Sequence, residues 1–289
     1  MTPETLSLMK RIAARRETLS RSHRGVADYV LANPFHAATM GIEDLAAATG
    51  VSVATVNRFA REFGFQGFVA FRAECLRIYA RTLEPVEKIR RLETGETGVL
   101  PLMRASLTGA RTNLDAALAL LDAGTCARAV DMLVAARRIY VIGFGVSSAL
   151  ARLAQHLFEP NLPIVELIDG SGGNERVIRR MRQVDGPDDL VVGISLQRYS
   201  RFTIEMLAKA KAAGAAVLCL TDFADSPLVP HADAVLFAPS EHVALHASLT
   251  GAAAMIEALA TALARRCASP ETAQKLTEDL LPYLYTDTP

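Results

Sequence analysis

The sequence lacks the features of secreted, zinc-binding and membrane proteins. Its four cysteines are scattered along the chain: Cys75, Cys126, Cys219 and Cys267. Because no two of them have a metal-type spacing, we expect reduced thiols in a cytoplasmic protein without a metal. The N-terminus has no apolar signal core, since pairs of basic residues interrupt it. The longest apolar run, residues 245–264, carries His246 and Glu257, which favours a buried helix over a membrane span.

The sequence also lacks a net charge, because 31 basic and 31 acidic residues balance. A length of 289 residues predicts about two domains. Residues 1–80 hold 10 basic and 7 acidic residues, an excess of three positive charges that the rest of the chain offsets. This mild asymmetry permits a DNA-binding face in the N-terminal domain but does not require one.

The N-terminal region shows only helical patterns. Ser20 is placed to cap a helix that Pro34 ends. A second helix is predicted over residues 42–49, and Gly50 then offers a left-handed turn position. Ser52 is placed to cap a third helix. Two helices joined by such a short turn are typical of a helix-turn-helix.

The third helix has two different faces. Val56 and Phe59 point toward the core, whereas the opposite face is uncharged at its start and basic further along. This is typical of a recognition helix, where short polar side chains, Asn and Arg meet base edges and a later Arg meets phosphate. The candidate DNA-binding residues are Ser52, Ala54, Thr55, Asn57, Arg58 and Arg61. The alternative is an ordinary helical hairpin with a solvated polar face, although such a face more often carries Glu–Lys pairs.

The C-terminal part of the chain alternates strands with helices. Residues 81–103 are interpreted as a linker, because they mix charges with Pro and Gly and show weak periodicity. In the second domain, residues 104–289, five short apolar strands are expected near residues 139, 163, 190, 215 and 234. Short apolar strands between helices predict a parallel sheet covered on both faces.

A glycine-rich loop, Gly143–Ser148, follows the first strand and opens a helix. Its glycines let the backbone approach a ligand, and the start of the helix offers amides to an anion. Three interpretations stay open at this point: an anion site, a dinucleotide site of the Rossmann type, and a turn that serves packing alone. The dinucleotide pattern is broken at Ser148, but Glu166 and Asp169 lie at roughly the spacing of a ribose contact.

Four stretches resemble the opening of RpiR/MurR-type transcriptional regulators: residues 19–34, 42–46, 51–60 and 63–65. The resemblance implies an all-α helix-turn-helix domain, residues 1–80, followed by an α/β three-layer domain of the sugar-isomerase (SIS) type with a parallel five-stranded sheet. It also implies that residues 52–61 form the recognition helix and that the protein is a homodimer or homotetramer. Because one helix-turn-helix reads only a short half-site of duplex DNA, we expect a palindromic or repeated operator.

Two loops resemble the ligand loops of SIS domains. The first matches the pattern Gly-x-Gly-x-Ser at Gly143–Ser147. The second, Ser195–Ser200, departs from the pattern Ser-x-Ser-Gly-x-Thr/Ser, because Gln197 and Arg198 replace the second serine and the glycine. Arg198 offers a bidentate contact to phosphate or carboxylate in exchange. The resemblance implies these effector-binding residues: Gly143, Gly145, Ser147, Ser148, Ser195, Gln197, Arg198 and Ser200.

The sequence therefore predicts a DNA-binding transcriptional regulator that senses a small anionic metabolite, a sugar phosphate or a sugar-derived acid. We expect no catalytic residue and no cofactor, since nothing suggests nucleophilic, metal or redox chemistry. The alternative is an SIS-type isomerase or lyase with an added DNA-binding domain. Its acid and base candidates are Glu241, His242 and His246. A third interpretation is a repressor that senses a nicotinamide nucleotide.

Overall fold

A computed structural model describes residues 8–76, 88–89 and 98–283. The chain divides into two compact units, Met1–Glu87 and Lys88–Pro289. The predicted boundaries at residues 80 and 103 stay predictions, because much of the stretch between them lies outside the described residues.

Within residues 8–76, the first unit is helical. Its helices are α1 (Leu8–Arg15), α2 (Arg21–Ala32), α3 (Pro34–Thr39), α4 (Ile42–Thr49), α5 (Val53–Glu62) and α6 (residues 68–76). Ser20 caps α2 as expected, accepting the His23 N–H at 3.3 Å. Pro34 ends α2 but also begins α3, because proline has no N–H to lose in the first turn of a helix.

An aromatic cluster forms the centre of this unit. Phe59 is fully buried, and its ring centroid lies 5.0 Å from that of Phe63 and 5.7 Å from that of Phe71. Val56 is buried beside it, so the predicted core face of α5 is confirmed. Ile12 of α1 joins the same core. The packing therefore sets which face of α5 is left for other contacts.

The second unit is an α/β sandwich. Its elements in chain order are α7 (Val99–Ala119), α8 (Ala123–Ala135), β1 (Arg138–Ile142), α9 (Ser147–Phe158), β2 (Val165–Ile168), α10 (Gly173–Met181), β3 (Asp189–Ile194), α11 (Arg201–Ala212), β4 (Ala216–Thr221), β5 (Ala234–Phe237), α12 (Thr250–Cys267) and α13 (Pro270–Leu280). Helix α7 begins within the predicted linker. Pro101 lies in its first turn, where proline is tolerated.

The five strands form one parallel sheet in the order β2-β1-β3-β4-β5. Strand β1 shows why helices cover both faces. Ile139 and Val141 pack with α8, α9 and α12, whereas Tyr140 and Ile142 pack with α10 and α11. The predicted three-layer architecture is confirmed. The order of the strands reverses between β1 and β3, which places the loops that follow these two strands side by side.

The long apolar run does not form one helix from its start. Residues 245–249 precede α12, which begins at Thr250, and Ile256 and Leu263 of α12 are buried in the core. Of the helices that the structure describes, none combines the length and the apolar character that a membrane crossing needs.

Candidate functional site

The turn between α4 and α5 has the geometry that the sequence predicts. Gly50 has φ +64°, the left-handed conformation that glycine adopts without strain. Ser52 caps α5 by accepting the Thr55 N–H at 3.2 Å. The Ser52 and Thr55 hydroxyl oxygens are 2.9 Å apart, and Arg58 Nη2 donates to Thr55 Oγ1 at 2.9 Å. A chain of polar contacts therefore runs from the cap to Arg58.

The exposed part of α5 is narrower than the sequence suggests. Ser52, Ala54, Arg58 and Arg61 are exposed, and Arg61 Nε donates to the Gln66 carbonyl oxygen at 3.3 Å. Thr55 is only 8% exposed, so its hydroxyl orients Arg58 instead of facing outward.

Asn57 is half-buried and serves the fold. Its Oδ1 accepts the Phe68 N–H at 2.9 Å, which satisfies the first amide of α6, a group without an acceptor inside its own helix. The sequence placed Asn57 on the base-reading face, and the structure gives its oxygen a different partner 11 residues away. Arg58 is thus the best-placed side chain of α5 for a base contact.

A cavity of about 320 Å³ lies between the loops that follow β1 and β3. It is lined by Phe144, Gly145, Val146, Ser147, Ser195, Leu196, Gln197, Arg198, Ser200 and His246. Six of the eight predicted effector-binding residues are therefore brought together. Gly143 and Ser148 are not among the lining residues.

The first loop offers a buried hydroxyl, whereas two of its amides are already engaged. Ser147 is 3% exposed, and its hydroxyl has no hydrogen-bond partner within the part of the chain that the structure describes. The N–H groups of Ser147 and Ser148 already donate to the Phe144 and Gly145 carbonyl oxygens, at 3.2 and 3.1 Å. Ser148 Oγ also donates to the Gly145 carbonyl oxygen. The prediction of free amides at the start of α9 is wrong for these two residues.

Gly143 has a packing role. A Cβ there would lie 2.4 Å from the Ser147 carbonyl oxygen, so only glycine lets α9 start this close to β1. The residue keeps the cavity's first loop in place without lining it.

Arg198 stands in the left-handed conformation, with φ +68°, and among the described residues it is the one non-glycine with a positive φ. This is the position where the SIS pattern carries glycine. An L-residue in that conformation costs roughly 1–2 kcal/mol. The left-handed backbone conformation that the SIS pattern has at its glycine is therefore kept at position 198, although the residue there is arginine.

Asp222 holds this backbone. It is 1% exposed, and its Oδ2 accepts the Gln197 N–H at 2.8 Å and the Ser240 hydroxyl at 2.7 Å. Its Oδ1 accepts the Tyr199 hydroxyl at 2.7 Å. The residues on both sides of Arg198 are thus bound to one carboxylate. Asp222 therefore has a structural role in this loop.

The two serines of the second loop shape it and keep donors available. Ser195 Oγ accepts the Ser200 N–H at 3.1 Å, and Ser200 Oγ caps α11 by accepting the Thr203 N–H at 3.2 Å. Neither hydroxyl donates a hydrogen bond within the described segments. The amides of Arg201 and Phe202, in the first turn of α11, have no acceptor there either. An anion beside Ser200 would meet these donors.

Of the three acid and base candidates, only His246 lines the cavity. Burial lowers its pKa, and the charge of Arg198 lowers it further. His242 Nδ1 accepts the Ala244 and Leu245 N–H groups at 3.0 and 2.8 Å, and its Nε2 lies 3.0 Å from Ser106 Oγ, so both ring nitrogens are engaged.

Glu241 forms an ion pair with Lys88, in which Glu241 Oε2 lies 3.6 Å from Lys88 Nζ. It does not line the cavity.

The carboxylates considered for a ribose contact face a different cavity. Glu166 pairs with Arg180 and Asp169 with Arg152, and all four line a cavity of about 620 Å³ along the edge strand β2. The glycine loop does not line it. Within residues 8–76, 88–89 and 98–283, no cluster of His, Cys, Asp and Glu is arranged to hold a metal ion.

The capping role of Asn57 leads to a stability prediction. Asn57→Ala removes the acceptor of the Phe68 N–H and should lower the free energy of unfolding by about 1 kcal/mol. Asn57→Asp keeps an acceptor oxygen and should remain close to the original stability. Urea unfolding of the full chain measures both. An alanine variant as stable as the parent would show that this hydrogen bond does not support α6.

Two domain families match the chain. The helix-turn-helix domain of the rpiR family matches residues 6–81, and the SIS domain matches residues 132–265. The HTH-type transcriptional regulator HexR of Pseudomonas aeruginosa is 34% identical over 224 residues, which are 77% of this chain and 75% of that protein.

Two solved structures share the fold. The NanR protein of Vibrio vulnificus, solved with ManNAc-6P, is 24% identical with a TM-score of 0.56, covering 96% of this chain and 100% of that one. The sugar isomerase domain of an RpiR transcription factor from Sphaerobacter thermophilus is 27% identical with a TM-score of 0.58, covering 63% of this chain and 99% of that one.

Proposed function

Since the chain belongs to the RpiR family and is a DNA-binding transcriptional regulator with an SIS domain, we propose that it reads its operator with α5 and senses a sugar phosphate or sugar-derived acid. The observation that carries the effector proposal is the cavity between the two loops. It combines Arg198 with the hydroxyls of Ser147, Ser195 and Ser200, which are donors suited to an anion.

The size and electrostatics of the cavity favour a small anion. A volume of about 320 Å³ is at the lower end of the range for small-molecule sites. Arg198 brings a positive charge, and the N-terminus of α11 adds two amides. The Vibrio vulnificus NanR structure contains ManNAc-6P, so the same fold holds a sugar phosphate in that protein. These points support a sugar-derived anion as the effector class.

Sensing is favoured over turnover. An isomerase needs an acid and a base near the sugar, and His246 is the one of the three candidates that lines the cavity. The presence of His246 there is also what keeps isomerase activity as the second candidate function. Incubating the purified chain with a sugar phosphate and following products by NMR separates the two, because a sensor returns the ligand unchanged.

We expect a homo-oligomer on DNA. One α5 reads only a short half-site. Two copies bound to half-sites about one turn of DNA apart together distinguish the operator from the many other sites in a genome.

The first functional prediction concerns α5. Replacing Arg58 by alanine should weaken operator binding by about 1–3 kcal/mol and relax the preference at one base position, because an Arg–base contact is sequence-specific. Replacing Arg61 by alanine should weaken all sequences alike and flatten the salt dependence, because a phosphate contact is not sequence-specific. Fluorescence anisotropy with the promoter of the protein's own gene measures both. Unchanged affinity and specificity of Arg58→Ala would contradict its assignment.

The second functional prediction uses the strained backbone at Arg198. Arg198→Gly should raise the free energy of unfolding by about 1–2 kcal/mol, because glycine adopts a positive φ without strain. The same variant should bind a sugar phosphate at least about tenfold more weakly, since a charge-assisted contact is lost. Isothermal calorimetry measures binding and urea unfolding measures stability.

Two variants accompany this experiment. Ser147→Ala should also weaken sugar phosphate binding, because it removes a buried donor from the cavity. Arg179→Ala, which removes an exposed arginine of α10, should leave binding unchanged. Full affinity in Arg198→Gly would show that the guanidinium does not touch the effector.

A further inference from the structure

The start of α5 presents an exposed apolar side chain. Val53, the first residue of the helix, is 39% exposed, and Ala54 beside it is exposed as well. Val51 packs against the buried core of the helical unit, whereas Val53 is not among the described residues that do so. Helix formation does not account for Val53 either, because valine is a weaker helix former than alanine.

The side chain of Val53 projects ahead of the helix. The Cα–Cβ bonds of an α-helix tilt toward its N-terminus, so a side chain of the first turn reaches beyond the helix start. The N-terminal residues of a recognition helix are the ones that contact base edges in the major groove. Valine is also stiff at χ1, so it loses little rotamer freedom when it makes a contact. Val53 is therefore placed to touch a base when α5 enters the groove.

The charges at the start of α5 also suit an approach to DNA. The first turn of α4 contains Glu43 and Asp44, whereas the first turn of α5 contains no acidic residue. A carboxylate near a helix N-terminus usually stabilises the helix, but it would repel the phosphates of DNA. The start of α5 therefore lacks a common stabilising charge and remains compatible with a polyanion.

Arg58 lies near the same end of the helix. Its Nη2 donates to Thr55 Oγ1 at 2.9 Å, so the guanidinium extends back toward the first turn of α5. The helix start thus combines a donor group suited to a base edge with the apolar side chain of Val53. Thymine is the DNA base that carries a methyl group in the major groove, and apolar side chains distinguish it by contact with that methyl.

We propose that Val53 reads thymine through contact with its C5 methyl group, so that each operator half-site holds a thymine close to the base pair that Arg58 contacts. The proposal rests on the proposed reading of an operator by α5 and adds the base that its first residue selects. The residues from Val53 to Arg58 span about 7.5 Å along the helix axis. Because base pairs are about 3.4 Å apart, the thymine lies within about three base pairs of the Arg58 contact.

Removing single methyl groups tests this contact. The full chain first selects its sites from a library of random duplex DNA. Fluorescence anisotropy then compares a selected duplex with duplexes in which one thymine of each half-site is replaced by uracil, which lacks only the C5 methyl. At one of these thymines, uracil should weaken binding by the parent chain about fourfold per half-site. Val53→Ala should weaken binding to the thymine duplex at least as much and should bind both duplexes alike.

Val69→Ala is the matched control. Val69 of α6 is 80% exposed, and its substitution removes the same atoms as Val53→Ala. This variant should keep the preference of the parent chain for thymine over uracil. Because alanine forms helices more readily than valine, Val53→Ala should fold, and an unchanged melting temperature checks this.

The outcomes separate this contact from operator reading in general. A parent chain that selects no sequence from the library would overturn the reading of an operator by α5 and this inference with it. Selected sites in which uracil replaces each thymine without loss of affinity would overturn the inference alone. A preference for thymine that persists in Val53→Ala would show that another side chain contacts the methyl group and would overturn the assignment of Val53.

Discussion

The buried carboxylate of Asp222 is the contact on which the candidate effector cavity depends. It accepts hydrogen bonds from the Gln197 amide, the Tyr199 hydroxyl and the Ser240 hydroxyl, which join the ends of β3, β4 and β5. A buried carboxylate is costly unless its oxygens are satisfied, so these bonds hold each other in place. Because the residues on both sides of Arg198 are held, its backbone keeps a conformation that arginine otherwise avoids.

The parallel sheet explains why the cavity lies where it does. The strand order reverses between β1 and β3, so the loops after these strands diverge to opposite faces and leave a crevice. Gly143 brings α9 against β1 on one side of the crevice, and Asp222 fixes the loop on the other. A ligand bound there can alter DNA affinity only if it binds one conformational state of the protein more tightly than another, and in the proposed homo-oligomer such a state is an arrangement of the protomers.

The sequence predicted the fold where the signal is local. Apolar strands between helices indicated the parallel sheet, and Gly50 with Ser52 indicated the turn before α5, because each depends on neighbouring residues. Contacts between residues that are far apart in the sequence could not be predicted in this way. The Phe68 N–H donates to the side-chain oxygen of Asn57, and no periodicity in the sequence predicts this contact.

Under the proposed function, the binding of an anion in the SIS cavity and the binding of the operator to α5 are energetically coupled. Measuring operator affinity by fluorescence anisotropy with and without a saturating sugar phosphate, and sugar phosphate affinity by calorimetry with and without operator, tests it most directly. We expect the two affinities to change by the same factor, because coupling between two binding sites is reciprocal. A sugar phosphate that binds the full chain and leaves operator affinity unchanged would contradict it.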